Sequence, residues 1–231
     1  MNNSKFDLFK GVIFHPFKTI SSIQQGEISL KSPLLLLSLI GIISAVESFL
    51  ATRKIVASLL EAISTISGAE RFARMIAAIS GVFSFLGGFL GVFIAWIGAT
   101  ITFHILSKLL GGEGRFKKLL EIEGWCFLPQ IFGVIVELIV VAFYFPSIEL
   151  PAQLFSDPTQ FRQIVENLTK TLQLSTAMTF SRVFRRMMTF WVLFLSGIAI
   201  NKEYGLSKVK SALSVLISYF VYFTIFILLR G

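Results

Sequence analysis

From Met75 to Ser107 the chain runs for 33 residues without a charged side chain. As an α-helix this stretch is about 50 Å long, against ~30 Å for the hydrocarbon core of a bilayer. It is too long for one upright crossing and too short for a hairpin of two. The length predicts a single tilted or kinked span, bending near Gly81 to Gly88, where glycines weaken the helix locally. Ser67-Gly68-Ala69-Glu70 reads as its capping box. The rest of the chain agrees: 55% of residues are apolar and only 15% charged, with a mean hydropathy of +0.79. A soluble domain carries about 25% charge, and one this size could not hide so much Phe, Leu and Ile from water. The expected solvent is lipid.

Ionisable groups at mid-bilayer cost several kcal/mol, so the gaps between them mark the crossings. Beside 75–107, they predict spans at about 34–51, 119–145, 177–200 and 211–229. The third contains Pro129 as a kink and ends at Pro146. The fourth offers only 15 uncharged residues between Arg186 and Lys202, so its helix must begin near Leu174 to Ala177 and carry Arg182, Arg185 and Arg186 inward. Three other stretches have helical periodicity: Phe6, Phe9 and Ile13 before Pro16; Ile55, Leu59, Ile63 and Ile66; and Phe161, Ile164, Leu168 and Leu172 after the start signal Asp157-Pro158. Each suits an interfacial amphipathic helix or a connector packed on its own bundle. The predicted fold is all-α: a polytopic bundle of five transmembrane helices with short interfacial helices. One membrane domain spans 1–231, with 1–31 a cytoplasmic interfacial segment.

Basic residues set the orientation. Eleven lie in the tail, in the loop at Lys108 to Lys118 and in the loop at Lys202 to Lys210, against seven on the other side. This predicts a cytoplasmic N-terminus and an outer C-terminus. The net charge of +8 forms no basic stripe interleaved with aromatics, so nucleic acid is not an expected partner. Charges throughout Met1 to Lys31 leave no room for the apolar core of a cleaved signal.

Polar groups that lipid should exclude are the candidates for function. Glu47 and Glu137 fall in the outer half of their spans. Arg182, Arg185 and Arg186 enter from the same side, at i, i+3 and i+4 on one helical face. Such a cluster suits a polar cavity that binds or conducts a solute; snorkelling arginines or helix-stapling ion pairs would use the same residues. A contact between Glu137 and the arginine face is the sharper expectation. Gly87, Gly91, Ala95 and Ala99 put a small residue at every fourth position of the second span, allowing close helix packing, within the chain or between copies.

Enzyme signatures are sparse. The aspartates are Asp7 and Asp157, outside the spans, and His15 and His104 lack metal-ligand spacing. One cysteine, Cys126, rules out an internal disulfide and reads as a small buried hydrophobe. No nucleophile elbow or P-loop occurs, and the glycines at 109–114 read as a turn. Asn167-Leu168-Thr169 matches the glycosylation pattern, which matters only in a secretory pathway. Neither metal nor cofactor is expected.

Three blocks resemble the Yip1 domain family: Phe14-His15-Pro16-Phe17-Lys18-Thr19; Leu109-Leu110-Gly111-Gly112-Glu113-Gly114-Arg115-Phe116-Lys117-Lys118-Leu119-Leu120; and Gly124-Trp125-Cys126-Phe127-Leu128-Pro129. The resemblance marks His15, Pro16, Gly111, Gly112, Gly114, Gly124 and Pro129 as family positions. It implies a five-span membrane protein with a cytoplasmic N-terminus and supplies no catalytic residue. Eukaryotic members associate with prenylated small GTPases in secretory traffic. Here Trp125 replaces the usual Tyr, and the long tail with Asp-Leu-Tyr-Gly-Pro is missing, so GTPase binding does not carry over. The expectation is a non-enzymatic scaffold or adaptor in a prokaryotic plasma membrane, its partners the bilayer and another membrane protein or a second copy. The alternative is a small transporter or channel using the Glu/Arg cluster.

Overall fold

The computed structural model describes residues 5–63, 70–146 and 175–228, with residues 166 and 170 singly. Among the described residues it is helical, without strands. The helices are α1 (Lys5–Phe14), α2 (Pro16–Gln25), α3 (Lys31–Ile63), α4 (Glu70–Leu109), α5 (Phe116–Cys126), α6 (Gln130–Tyr144), α7 (Thr176–Tyr204) and α8 (Lys208–Leu228).

The long uncharged run forms a single helix, α4, whose 40 residues pass through Gly81, Gly87 and Gly88 without a break. Ser67, the proposed cap, lies outside the described residues, as do the stretch from Asp157 to Leu172 (apart from Glu166 and Lys170) and the Asn167 glycosylation pattern. α3 runs on to Ile63, so the segment containing Ile55, Leu59 and Ile63 is no separate interfacial helix. Nothing between Phe49 and Ile63 breaks a helix; Arg53 and Lys54 mark only the end of the apolar run. The third predicted span divides into α5 and α6, bent by 42° at the break before Gln130. Pro129 stands there, lacking the N–H that would continue the ladder.

Among the described residues, Lys31–Ser58, Arg74–Leu109 and Thr176–Tyr204 are long and apolar enough to cross a membrane. The bent pair α5–α6 makes a fourth if it crosses as one. α8, of 21 residues, covers the predicted fifth segment but is not one of these.

The chain divides into two compact units. Unit 1 comprises residues 1–39, 92–131 and 187–231. Its core joins Val12 and Ile20 from α1 and α2, Leu119 and Ile122 from α5, and Leu195 and Ile200 from α7, each fully buried. The N-terminal helices are therefore packed against α5 and α7 of this unit, as expected of a connector packed on its own bundle. α2 was not foreseen as a helix: His15 at φ −135° interrupts α1, and Pro16, with φ pre-set and no N–H to satisfy, takes the first helical position. Unit 2 comprises 40–91 and 132–186. Its α3 and α4 meet at Gly88, where a Cβ would lie 2.7 Å from Ser44 O. Thr52 and Ser84 hydroxyls share a 2.6 Å hydrogen bond across the same pair.

Candidate functional site: the intramembrane charge cluster and the glycine block

In unit 2, α6 supplies Glu137 and α7 the three arginines. Arg185 Nη1 lies 2.5 Å from Glu137 Oε2, with side chains 32% and 22% exposed. Glu47 on α3 is within electrostatic range of both and accepts a long 3.4 Å hydrogen bond from Ser48. Arg182 instead folds along its own helix, donating from Nε to Met178 O at 3.1 Å and from Nη2 to Thr179 Oγ1 at 3.0 Å. Arg186 points to the exposed side. Of the five predicted residues, Glu47, Glu137 and Arg185 come together among the described residues, Glu137 and Arg185 as a direct ion pair.

Lys54, read from the sequence as a loop charge, is part of the same unit. Its ammonium donates to Val141 O at 2.6 Å and Ala142 O at 2.9 Å, and stands 5.6 Å from the Phe145 ring centroid. The last carbonyls of α6 have no helical partner, and a cation there also meets the negative end of the helix dipole. Lys54 thus ties α3 to the end of α6.

The small-residue stripe divides. Where a Cβ would stand on Gly87 or Gly91 there is no described atom within 4 Å, and both glycines are exposed. Close packing within the chain is made one position along, at Gly88. Ala95 is half-buried, and Ala99 packs on the unit 1 core.

In unit 1, the glycines at 111, 112 and 114 lie in a second polar node. Gly111 takes φ +88°, a left-handed conformation that stops α4 at little steric cost. The turn then runs against the end of α7: a Cβ on Gly112 would lie 2.8 Å from Tyr204 Cβ, and one on Gly114 would lie 2.8 Å from Glu203 O. The approach is held by backbone N–H groups, Glu113 N to Tyr204 O at 3.3 Å and Arg115 N to Glu203 Oε1 at 2.8 Å. Gln24 of α2 adds a 3.4 Å hydrogen bond to Glu203 Oε2. His104, isolated in sequence, shares a hydrogen bond with the Tyr204 hydroxyl.

α5 carries Lys118, which counting by gaps assigned to a loop, and Glu121 and Glu123, which fall inside the predicted 119–145 span. Lys118 is fully buried; its Nζ donates to Gly26 O at 2.9 Å and Glu121 Oε2 at 2.8 Å. Glu123 is also fully buried, accepting a 2.7 Å hydrogen bond from Ser196, while its Oε1 has no described partner. Seven residues on, Gln130 Nε2 donates to Thr189 Oγ1 at 3.1 Å. The signal for the two glutamates lay in their position inside the predicted 119–145 span, within one helical turn of Gly124. That glycine receives Pro33, whose Cβ would lie 2.5 Å from an added Cβ. Among the described residues no three of His, Cys, Asp and Glu are grouped to hold a metal.

Hydrogen-bonding capacity in both groups is largely spent between helices. Two grooves, of about 660 Å³ in unit 2 and about 400 Å³ in unit 1, include neither Glu47, Glu137 or Arg185 nor Glu123. The arrangement joins helices; neither groove turns those charges toward a ligand.

Comparison with known proteins bears out the family resemblance. The chain matches the Yip1 domain over residues 10–230. It is similar to an uncharacterized protein of the archaeon Methanocaldococcus jannaschii, 31% identical over 134 residues that cover 58% of this chain and 87% of that protein. No solved structure matches. With the match running almost end to end and apolar helices long enough to span a bilayer, the chain belongs to the Yip1 domain family of membrane proteins.

Proposed function

We propose that this chain is a non-enzymatic scaffold or adaptor in the plasma membrane of a prokaryote. It crosses five times, α5–α6 counting as one crossing and α8 as the last, as one membrane domain with its N-terminus cytoplasmic and its C-terminus outside. The carrying observation is that Glu137, Arg185, Lys54 and Lys118 are each engaged within the protein, by a neighbouring helix or by the backbone. The Glu137–Arg185 pair, the Lys54 cap on α6 and the Lys118–Glu121 pair lie outside both grooves. A transporter needs such groups facing a water path; a scaffold needs them to hold its shape.

The second reading, a small transporter or channel, draws its support from Glu47, a second carboxylate beside the ion pair with only a weak hydroxyl donor. Proteoliposomes separate the two. The scaffold reading expects proton, sodium and potassium fluxes equal to those of empty vesicles, and self-association or a stoichiometric membrane-protein partner in mild detergent. Flux abolished by Glu137→Gln in a folded variant would establish the transporter instead.

A further inference from the structure

The unit 1 groove runs between α7 and α8 with α2 at its side. Its walls are apolar and aromatic, from Phe17, Phe190, Phe194, Leu216 and Tyr219, and Lys208 closes one end. Phe17 meets Phe194 edge-on at 6.1 Å between ring centroids, so α2 forms part of the wall. The floor is small: nothing described comes closer to a Cβ on Gly197 than Val215 Cγ2 at 4.0 Å, and Ala212 faces the same space. At about 400 Å³ the groove is within the ligand-site range of ~300–1,000 Å³.

Two features identify an occupant. The first is length. Lys208 and Tyr219 are eleven residues apart on one helix, about 16 Å, which is roughly one leaflet of a ~30 Å hydrocarbon core. The second is charge. Lys208 is exposed and has no hydrogen bond or ion pair among the described residues, whereas nearby Lys210 is held by Leu110 O at 3.0 Å. Lys18, next to Phe17, is exposed as well. A wall one acyl chain long, ending in a free cation at the loop between two spans, complements an anionic amphiphile.

We infer that the α7–α8 groove binds one anionic phospholipid, its phosphate at Lys208 and an acyl chain along Phe194 and Leu216 toward Tyr219. This rests on the proposed topology, which puts the α7–α8 loop at a headgroup plane. It deepens the scaffold reading: a lipid wedged against α2, α7 and α8 would couple the family's N-terminal block to the composition of the leaflet.

Native mass spectrometry of the full chain in mild detergent tests it, with dioleoyl phosphatidylglycerol, dioleoyl phosphatidylcholine and inorganic phosphate as probes. Wild type should retain phosphatidylglycerol at least about fivefold better than phosphatidylcholine, the preference one basic residue confers at an anionic surface. Lys208→Gln should remove that preference and leave phosphatidylcholine retention unchanged. Ala212→Phe, filling the floor, should lower retention of both lipids. Equal retention of the two lipids by wild type would overturn the inference, as would a preference that survives Lys208→Gln. Displacement by inorganic phosphate would make the site one for a free anion. A dimer lost on Ala212→Phe, with lipid retention unchanged, would make the occupant a second copy. Lipid preference in detergent does not depend on which leaflet holds the loop, so a wrong topology and a wrong lipid site give different results.

Discussion

Gly124 and Pro33 are in contact so close that a Cβ on the glycine would stand 2.5 Å from the proline Cβ. The start of α3 therefore rests on α5 at a point where only glycine fits. Gly124→Ala must push the two helices apart, at about 1–3 kcal/mol for an overpacked core. Gly112→Ala faces the same difficulty against Tyr204 Cβ at 2.8 Å and Ser107 O at 2.9 Å. Gly91→Ala, into open space, should be neutral or slightly stabilising through helix propensity. Thermal unfolding of the three variants in one detergent should rank them so; equal losses at Gly91 and Gly124 would refute the close-approach account.

Glu137→Gln and Arg185→Gln should each destabilise the protein by about 1–3 kcal/mol, less than for a fully buried pair because both side chains are partly exposed. The double variant should lose less than the sum of the two, with a coupling of ~0.5–3 kcal/mol. Arg186→Gln, on the exposed side, should change little. Denaturation midpoints of wild type, the two single variants and the double supply the cycle, and additivity would mean the 2.5 Å contact contributes nothing.

Lys118→Met should be among the most damaging single changes. It removes the cation from a site with no exposure, strips Glu121 of its partner and leaves Gly26 O without its donor. Breaking a buried pair in this way costs about 3–5 kcal/mol. Lys117→Met, one position along, serves as the control. Comparable folded yield and melting temperature for the two variants would contradict the buried-node description.

Much of this architecture could be read from the chain because lipid enforces one rule strongly: charge is kept out of mid-bilayer. The runs beginning at Leu34 and Met75, and the early start of α7 ahead of Arg182, follow from it. The same rule misled where charge is buried within the protein. Lys118 looks like a loop charge, and Glu121 and Glu123 interrupt a predicted span, yet the three are 0%, 5% and 0% exposed because Lys118 pairs with Glu121 and a backbone carbonyl, and Glu123 with Ser196. Lys54 looks like the end of α3 although its long apolar stem lets it stay helical and cap α6. Periodicity marked most helices, though not α2, and did not say which surface a helix meets, so the burial of Val12 and Ile20 and the choice of Gly88 over Gly87 required the fold. In the charge cluster, i, i+3, i+4 spacing put three arginines on one face, and side-chain length and direction then set Arg185 against Glu137.

The five-span topology is the central claim, and single-cysteine labelling in intact cells tests it most directly. With Cys126 replaced by Ser, cysteines placed one at a time at Ser207, Thr159 and Gly231 are exposed to a membrane-impermeant maleimide. The account predicts that Thr159→Cys and Gly231→Cys react and that Ser207→Cys reacts only after the cells are opened. Reaction at Ser207 in sealed cells, or protection of Gly231 until lysis, would contradict it.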